Sequence, residues 1–377
     1  METSQSTRWD ALDVVRGLTV AGMLLVNNPG TSSAVYPPLE HATWHGWTPT
    51  DLIFPIFLFI VGITTDLSLT RRAGLGATDS QIRRKVLTRG ALIVLSGLLL
   101  AAFPFLPVSR IVAVRIPGVL QRIGVCYAIG ALLAWRRSDR AILMTTTVLL
   151  VGYWAILTLV PVPGQAVRTI DVPDQTIAAY LDRLLLGGHL WAVTKTWDPE
   201  GPLSTIPAIG TVLLGVLAGR VARAAGSLEA RLNGLFGWGA IGVVAGWCWN
   251  WVFPINKSLW TSSYVVFTAG VAALFLATVT WALEVRRVRG WATPFRTFGL
   301  NPLVAFLGSG AMARTIGSLL MVESGGQRLS AQQLVYHRVF ASWLTPIHAS
   351  LGYAIAFVAF WYVVLLTLER RGWILRL

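Results

Sequence analysis

The sequence predicts an all-α integral membrane protein, a polytopic bundle of about ten transmembrane helices with both termini cytoplasmic. Three observations carry this. Of 377 residues, 54% are apolar and only 13% charged, against about a quarter charged in a soluble domain. The mean hydropathy is +0.62. The apolar residues also come in continuous runs long enough to span a bilayer, where a transmembrane barrel would show short alternating segments. The same arithmetic excludes a disordered chain, collagen and a small disulfide scaffold. The whole of 1–377 reads as one transmembrane domain.

Ten apolar segments follow in order. The first, 10–26, is short and carries Asp13 and Arg16 one turn apart, able to pair near a membrane edge. No small-residue cleavage site follows it, so it is expected to be a retained helix. The second, 51–69, opens on Asp51. Segments 87–107 and 117–135 flank the stretch from Val114 to Arg122, with Pro117 at a first-turn position that suits proline. Segments 141–160 and 204–222 come next; Gly210, Gly215 and Gly219 in the latter favour close helix approach in lipid. Segments 234–253, 261–283, 294–312 and 346–367 complete the set, and Asn301-Pro302 interrupts the ninth. Cys126 and Cys248 have no metal or disulfide spacing and read as small buried side chains.

The net charge is +14. In a membrane protein this reads as the positive-inside bias rather than as nucleic-acid binding. Arg8, Arg71, Arg72, Arg83, Arg84, Lys85, Arg89, Arg136, Arg137, Arg140, Arg220, Arg223, Arg231, Arg286, Arg287, Arg289, Arg296, Arg370, Arg371 and Arg376 fall on one side, taken as cytoplasmic. Arg110, Arg115, Arg168, Arg183, Lys195, Lys257, Arg314, Arg328 and Arg338 are spread over the other. All five histidines, His41, His45, His189, His337 and His348, fall on that other side. Imidazole is the side chain that titrates near neutral pH, so the chemistry is expected near the outer leaflet. Trp44, Trp47, Trp191, Trp197 and Trp260 share this face, as in an interfacial belt.

Several polar segments can carry chemistry. Asn27 ends the first span. His41, Trp44 and His45 precede Asp51, which can cap the next helix or fix the tautomer of a nearby imidazole. His41 and His45 have the i,i+4 spacing of helical metal ligands, but Pro49 follows and no HExxH glutamate is present, so no metal is expected. Arg115, Gln121 and Arg122 flank or enter the fourth span, where an intramembrane arginine is a functional candidate or a snorkelling one. The long outer connection 161–203 carries a short amphipathic stretch from Asp182 to Leu190 and ends at Asp198-Pro199-Glu200-Gly201. The loop from Pro254 to Tyr264 holds Asn256 and Lys257.

Together these segments resemble the heparan-α-glucosaminide N-acetyltransferase family in its smaller bacterial form. The resemblance runs from about Leu12 to the last span. It is carried by Asp13/Arg16-Gly17, Val26-Asn27, His41-Ala42-x-Trp44, Asp51-Leu52, Phe54-Pro55, VRIPGVLQR, DRLLLG with HL, Asp198-Pro199-Glu200-Gly201 and Asn256-Lys257 with Leu259-Trp260. It implies an enzyme that takes acetyl from cytosolic acetyl-CoA and delivers it to a glucosamine-type amine across the membrane. The family's active histidine matches His41, its asparagine Asn27, and an adjoining acid Asp51. His45 stands where the animal enzyme has asparagine. His41 is then a general base or the acetyl acceptor itself, and Asn27 an orienting or oxyanion-binding group. Arg16, Arg83, Arg84, Lys85 and Arg89 are candidates for the CoA phosphates. Trp44, His45, Arg115, Gln121, Asp198, Glu200, Asn256 and Lys257 are candidates for the acceptor. The expected partners are an amino sugar or glycan, the lipid bilayer and a second copy in a homodimer. An O-acyltransferase acting on an envelope glycan and a transporter of sugars or anions are the alternatives.

Overall fold

The computed structural model describes residues 9–107, 111–165, 168–324 and 326–375. Arg8, Arg110 and Arg376 lie outside them. A helix occupies each of the ten apolar segments. They are α1 (Asp10–Asn27), α2 (Pro49–Gly74), α3 (Asp79–Ala102), α4 (Val119–Ala134), α5 (Asp139–Leu159), α7 (Pro202–Ala224), α8 (Leu228–Trp249), α9 (Ser262–Thr280), the pair α10 (Ala292–Leu300) and α11 (Pro302–Arg314), and α13 (Pro346–Arg370). A π-turn, Trp281–Val285, extends α9. Short helices α6 (Ile177–Leu186) and α12 (Ala331–Val335) lie in connections. Among the described residues six helices are long and apolar enough to cross a membrane: α2, α3, α5, α7, α9 with its π-turn, and α13.

Four local features depart from the expectation. First, α3 begins at Asp79, well before 87. Thr78 and Gln81 form a capping box there, and such a box satisfies two of the unpaired N–H groups of a helix start. Arg83, Arg84, Lys85 and Arg89 therefore sit on a helix, not in a loop. Second, the chain is not wholly helical. Met321–Ser324 and Gln327–Ser330 pair as an antiparallel hairpin. Third, Cys248 is exposed on α8, whereas Cys126 is buried as expected. Fourth, Trp260 is 1% exposed, so it belongs to the core and not to an interfacial belt.

The ninth segment breaks at Asn301, as its proline suggests. Asn301 is fully buried. Its side chain accepts from Leu375 N (2.9 Å) and donates to Trp373 O (3.1 Å), so the C-terminal segment folds onto the break. Arg16 spans Asp13 (2.9 Å) and the Gly299 carbonyl that the break leaves open (3.1 Å). Here α1 and α10 touch backbone to backbone. A Cβ on Gly17 would stand 1.6 Å from Phe295 O, and one on Gly299 would stand 1.9 Å from Asp13 O. Gly62 on α2 and Gly215 on α7 make the same kind of contact. Small residues supply this close approach in lipid, where no hydrophobic drive separates helix from solvent.

Candidate active site

The site is built where the loop before α2 meets the loop between α8 and α9. Gly46 N donates to Ile255 O at 2.8 Å, and Gly46 and Asn256 pair as a short parallel bridge. Asn256 is buried and holds its own loop in shape. Its side-chain oxygen accepts from Leu259 N (2.8 Å), and its backbone N–H donates to Thr261 Oγ1 (3.0 Å). Docking these loops brings His41, Asp51 and Lys257 together.

Asp51 serves both local structure and the site. Thr48 and Asp51 form a capping box at the start of α2. Asp51 Oδ2 accepts from Thr48 N and Ala42 N, both at 3.0 Å, and Oδ1 lies 2.7 Å from His41 Nδ1. Both sequence readings of Asp51, as cap and as imidazole partner, hold in one side chain. A carboxylate only accepts, so its contact, the shorter of the two at Nδ1, calls for Nδ1–H and leaves the Nε2 lone pair as the one a Lys257 N–H can meet. Lys257 Nζ stands 2.8 Å from Nδ1, 3.2 Å from Nε2 and 3.4 Å from Asp51 Oδ1. Burial pushes the Lys257 ammonium below its usual range, against the opposing pull of Asp51 and Glu200. The His41 side chain is 52% exposed and open to an incoming molecule, whereas Asp51 beneath it is 1% exposed.

A second imidazole adjoins the first. His45 Nε2 lies 2.9 Å from Asp171 Oδ1, and His45 Nδ1 lies 3.4 Å from Asn256 Nδ2. Residues 41–45 are not helical, so the i,i+4 spacing does not put the two imidazoles on a helix face. Each pairs with its own carboxylate. Trp44 packs edge-on against Trp197 and donates from its indole to Ile170 O at 2.8 Å. That bond ties the long connection to the site loop.

Behind this surface lies an ionic network. Arg115 donates to both oxygens of Asp198 (2.8 and 2.5 Å) and to Glu200, and it stacks on Trp191. Burial alone would lower the Arg115 pKa; the bond to Asp198 and the charges of Glu200 and Asp198 raise it instead. Asp198 N in turn donates to Asp182 Oδ2 at 2.9 Å. Burial and the neighbouring Asp198 charge push the Asp182 carboxyl up to about 7. Arg122 is buried against Trp260 and Ser204. Sequence reasoning marked Arg122 and Asp182 as polar but did not place them behind Arg115 and Asp198. It missed Asp171 altogether, because one acid in a long loop carries no spacing signal.

Two expected site residues stand apart from His41. Asn27 ends α1 as an exposed residue and forms no hydrogen bond with His41 among the described residues. The contacts that orient His41 come from Asp51 and Lys257. Gln121 packs against Gly97 and Gly118, between α3 and the turn before α4, and forms no hydrogen bond with His41 among the described residues.

At the other end of α2 a cavity of about 1750 Å³ opens. Arg16, Lys85 and Arg89 line it, whereas Arg83 and Arg84 do not; those two are exposed on α3. Arg89 stacks on Tyr127. The sequence had not assigned Arg71, Arg72, Arg223, Arg231, Arg289 and Arg296 to any site, yet they line the same space. Inward, the lining turns apolar at Met23, Phe57, Ile93, Leu120 and Phe306. On α2 it stops at Phe57, six residues from Asp51, or roughly 9 Å along a helix axis. His41 is not part of the lining.

A multi-pass helical membrane protein, with an imidazole–carboxylate–ammonium cluster at one end and an arginine-lined cavity at the other, is the class that fold and site define. The chain belongs to the heparan-alpha-glucosaminide N-acetyltransferase family: the model of that family's catalytic region matches residues 8–246. The match includes His41, Asp51, Arg115 and Asp198 and ends before Asn256 and Lys257. The heparan-alpha-glucosaminide N-acetyltransferases of Mus musculus and Homo sapiens are each 30% identical to it, over 81% and 80% of this chain and 54% and 52% of their own lengths. The chain thus spans about half the length of these curated relatives.

Proposed function

We propose that this chain is a transmembrane acetyltransferase that takes acetyl from cytosolic acetyl-CoA. It delivers the group to the amine of a glucosamine-type sugar at the outer face of the cytoplasmic membrane. In this reading all ten apolar segments cross the bilayer, and both termini are cytoplasmic. Trp9, Asp10, Ile374 and Leu375 at the arginine-lined cavity support the latter. The cavity suits a polyanionic nucleotide at its basic mouth. Its apolar inner part suits a pantetheine arm.

The His41 cluster is the observation that carries the reading. A sugar ammonium must lose a proton before it attacks a thioester. His41, with Nδ1 held by Asp51 and a lone pair on Nε2, is placed to take that proton, a role typically worth about 10²–10⁴-fold. The same lone pair could accept the acetyl group first, in a two-step transfer. The Lys257 ammonium already lies against this imidazole and the Asp51 carboxylate. These surroundings favour an amine acceptor over a hydroxyl, and Glu200 adds to the negative field. His45, Asp171, Trp44 and Trp197 would form the wall that meets the sugar.

The test is to incubate the purified protein with labelled acetyl-CoA and glucosamine. An alkali-stable amide on the sugar is the expected product. An alkali-labile ester would point to O-acylation, and uptake without covalent change to transport.

A further inference from the structure

We propose that Lys257 is itself a modification site: its side-chain amine takes acetyl from the same thioester and becomes Nε-acetyl-lysine when no acceptor is present. The inference rests on the acetyl-transfer reading above. Lys257 Nζ stands 2.8 and 3.2 Å from the two ring nitrogens of His41, within the reach a base needs to remove a proton from an amine. The lysine therefore occupies the position that an acceptor amine would take. Among the described residues the chain's other lysines, Lys85 and Lys195, have no imidazole within hydrogen-bond reach: Lys85 lines the cavity at the far end of the bundle, and Lys195 sits in the 161–203 connection.

An ammonium is no nucleophile, so the amine must be neutral for a moment. The Lys257 side chain is only 20% exposed, and burial disfavours its charge, while Asp51 and Glu200 favour it and Arg122 opposes it. Burial thus makes Nζ easier to deprotonate than a free lysine amine. In the step proposed, His41 Nε2 takes a proton from Nζ. The freed lone pair attacks the acetyl carbonyl carbon, an N–C bond forms and the C–S bond breaks. The first proton passes from His41 to solvent, His41 then takes the second proton that Nζ sheds, and the sulfur leaves as thiolate and picks that proton up. Ammonium and thioester become amide, thiol and one proton released to solvent, with no other reactant.

The product differs from a transfer intermediate. A thioester or an acyl-imidazole passes its acetyl group on, whereas an amide holds it. Acetylation also removes the positive charge beside His41 and Asp51 and fills the place of the acceptor amine. Each modified copy is therefore silenced, and a bound acceptor protects against the modification.

The test uses the full chain in detergent micelles with acetyl-CoA labelled in its acetyl group, without acceptor, followed by digestion and mass spectrometry. One labelled acetyl is expected on Lys257, with Lys85 and Lys195 labelled far more slowly. Labelling should rise with pH, fall when glucosamine is added, and drop about tenfold or more in His41→Ala, as expected for loss of a base. Lys257→Arg retains a cation at the site and should give no label there. An unlabelled Lys257 in protein that acetylates glucosamine overturns the inference and leaves the acetyl-transfer reading standing. Labelling of Lys257 no faster than that of Lys85 and Lys195 overturns it as unassisted solution chemistry. If neither glucosamine nor Lys257 is acetylated, the acetyl-transfer reading falls and this inference with it.

Discussion

The Asp51 carboxylate closes the first turn of its own helix with one oxygen and holds His41 with the other, at 2.7 Å. The imidazole is thus tied to the end of a rigid 26-residue helix, although His41 itself sits in an open loop. A helix terminus fixes the direction of a side chain better than a loop does, and this link gives an exposed histidine a defined ring orientation.

Substituting Asp51→Asn separates the two roles. The asparagine amide oxygen can still accept from Thr48 N and Ala42 N, so the unfolding midpoint in detergent should stay close to wild type. The amide cannot support the imidazole as a carboxylate does. Acetyl transfer to glucosamine should fall by about 10²-fold or more. Unchanged transfer with unchanged stability would remove Asp51 from the site.

Helix contact at the cavity is set by Gly17. An alanine Cβ there would meet Phe295 O at 1.6 Å, which forces α1 from α10 and displaces Arg16 from the Gly299 carbonyl. Gly17→Ala should cost about 1–3 kcal/mol or more and lower the unfolding midpoint. Gly152 on α5 has open space around it, and Gly152→Ala should stay within about 1 kcal/mol of wild type, on the stabilising side.

Asp182 sets a pH dependence. Its folded-state value is raised to about 7 from an ordinary 3.8, so the folded chain binds a proton that the unfolded chain has lost between those values. That contribution is fully present below pH 3.8 and is lost as pH rises through 7. The wild-type unfolding midpoint should therefore decline between pH 5 and pH 8. Asp182→Asn can still accept from Asp198 N, and its midpoint should decline less over the same range.

Arg89 tests the basic cavity. It lines the space and stacks on Tyr127. Arg89→Gln should raise KM for acetyl-CoA and weaken the salt dependence of that KM, with little change in KM for glucosamine. Exposed Arg84→Gln should leave both unchanged.

Much of the fold was legible because burial in lipid leaves a strong mark on a sequence: every apolar segment holds a helix, and Asn301-Pro302 marks the break in the ninth. Boundaries were less legible where a cap outweighed polarity, as at Thr78, where the helix runs through a cluster of basic residues. The hairpin at Met321–Ser330 gave too short a pattern to separate from a loop. At the site, His41, Asp51 and Lys257 were each picked out, but their convergence was not readable from spacing, since it depends on two loops 200 residues apart in the chain docking through Gly46 and Asn256. Asn27 was chosen by likeness, and an exposed helix end leaves it without the hydrogen bond to His41 that the likeness suggested.

The central claim is that an acetyl group crosses the bundle and leaves by way of His41. Proteoliposomes with the arginine-lined end facing inward, loaded with labelled acetyl-CoA and bathed in glucosamine, test it most directly. Wild type should place labelled N-acetylglucosamine outside while CoA stays within, and His41→Ala should reduce this to background. Wild-type rates in His41→Ala, or product appearing only where acetyl-CoA and glucosamine share one compartment, would contradict the account.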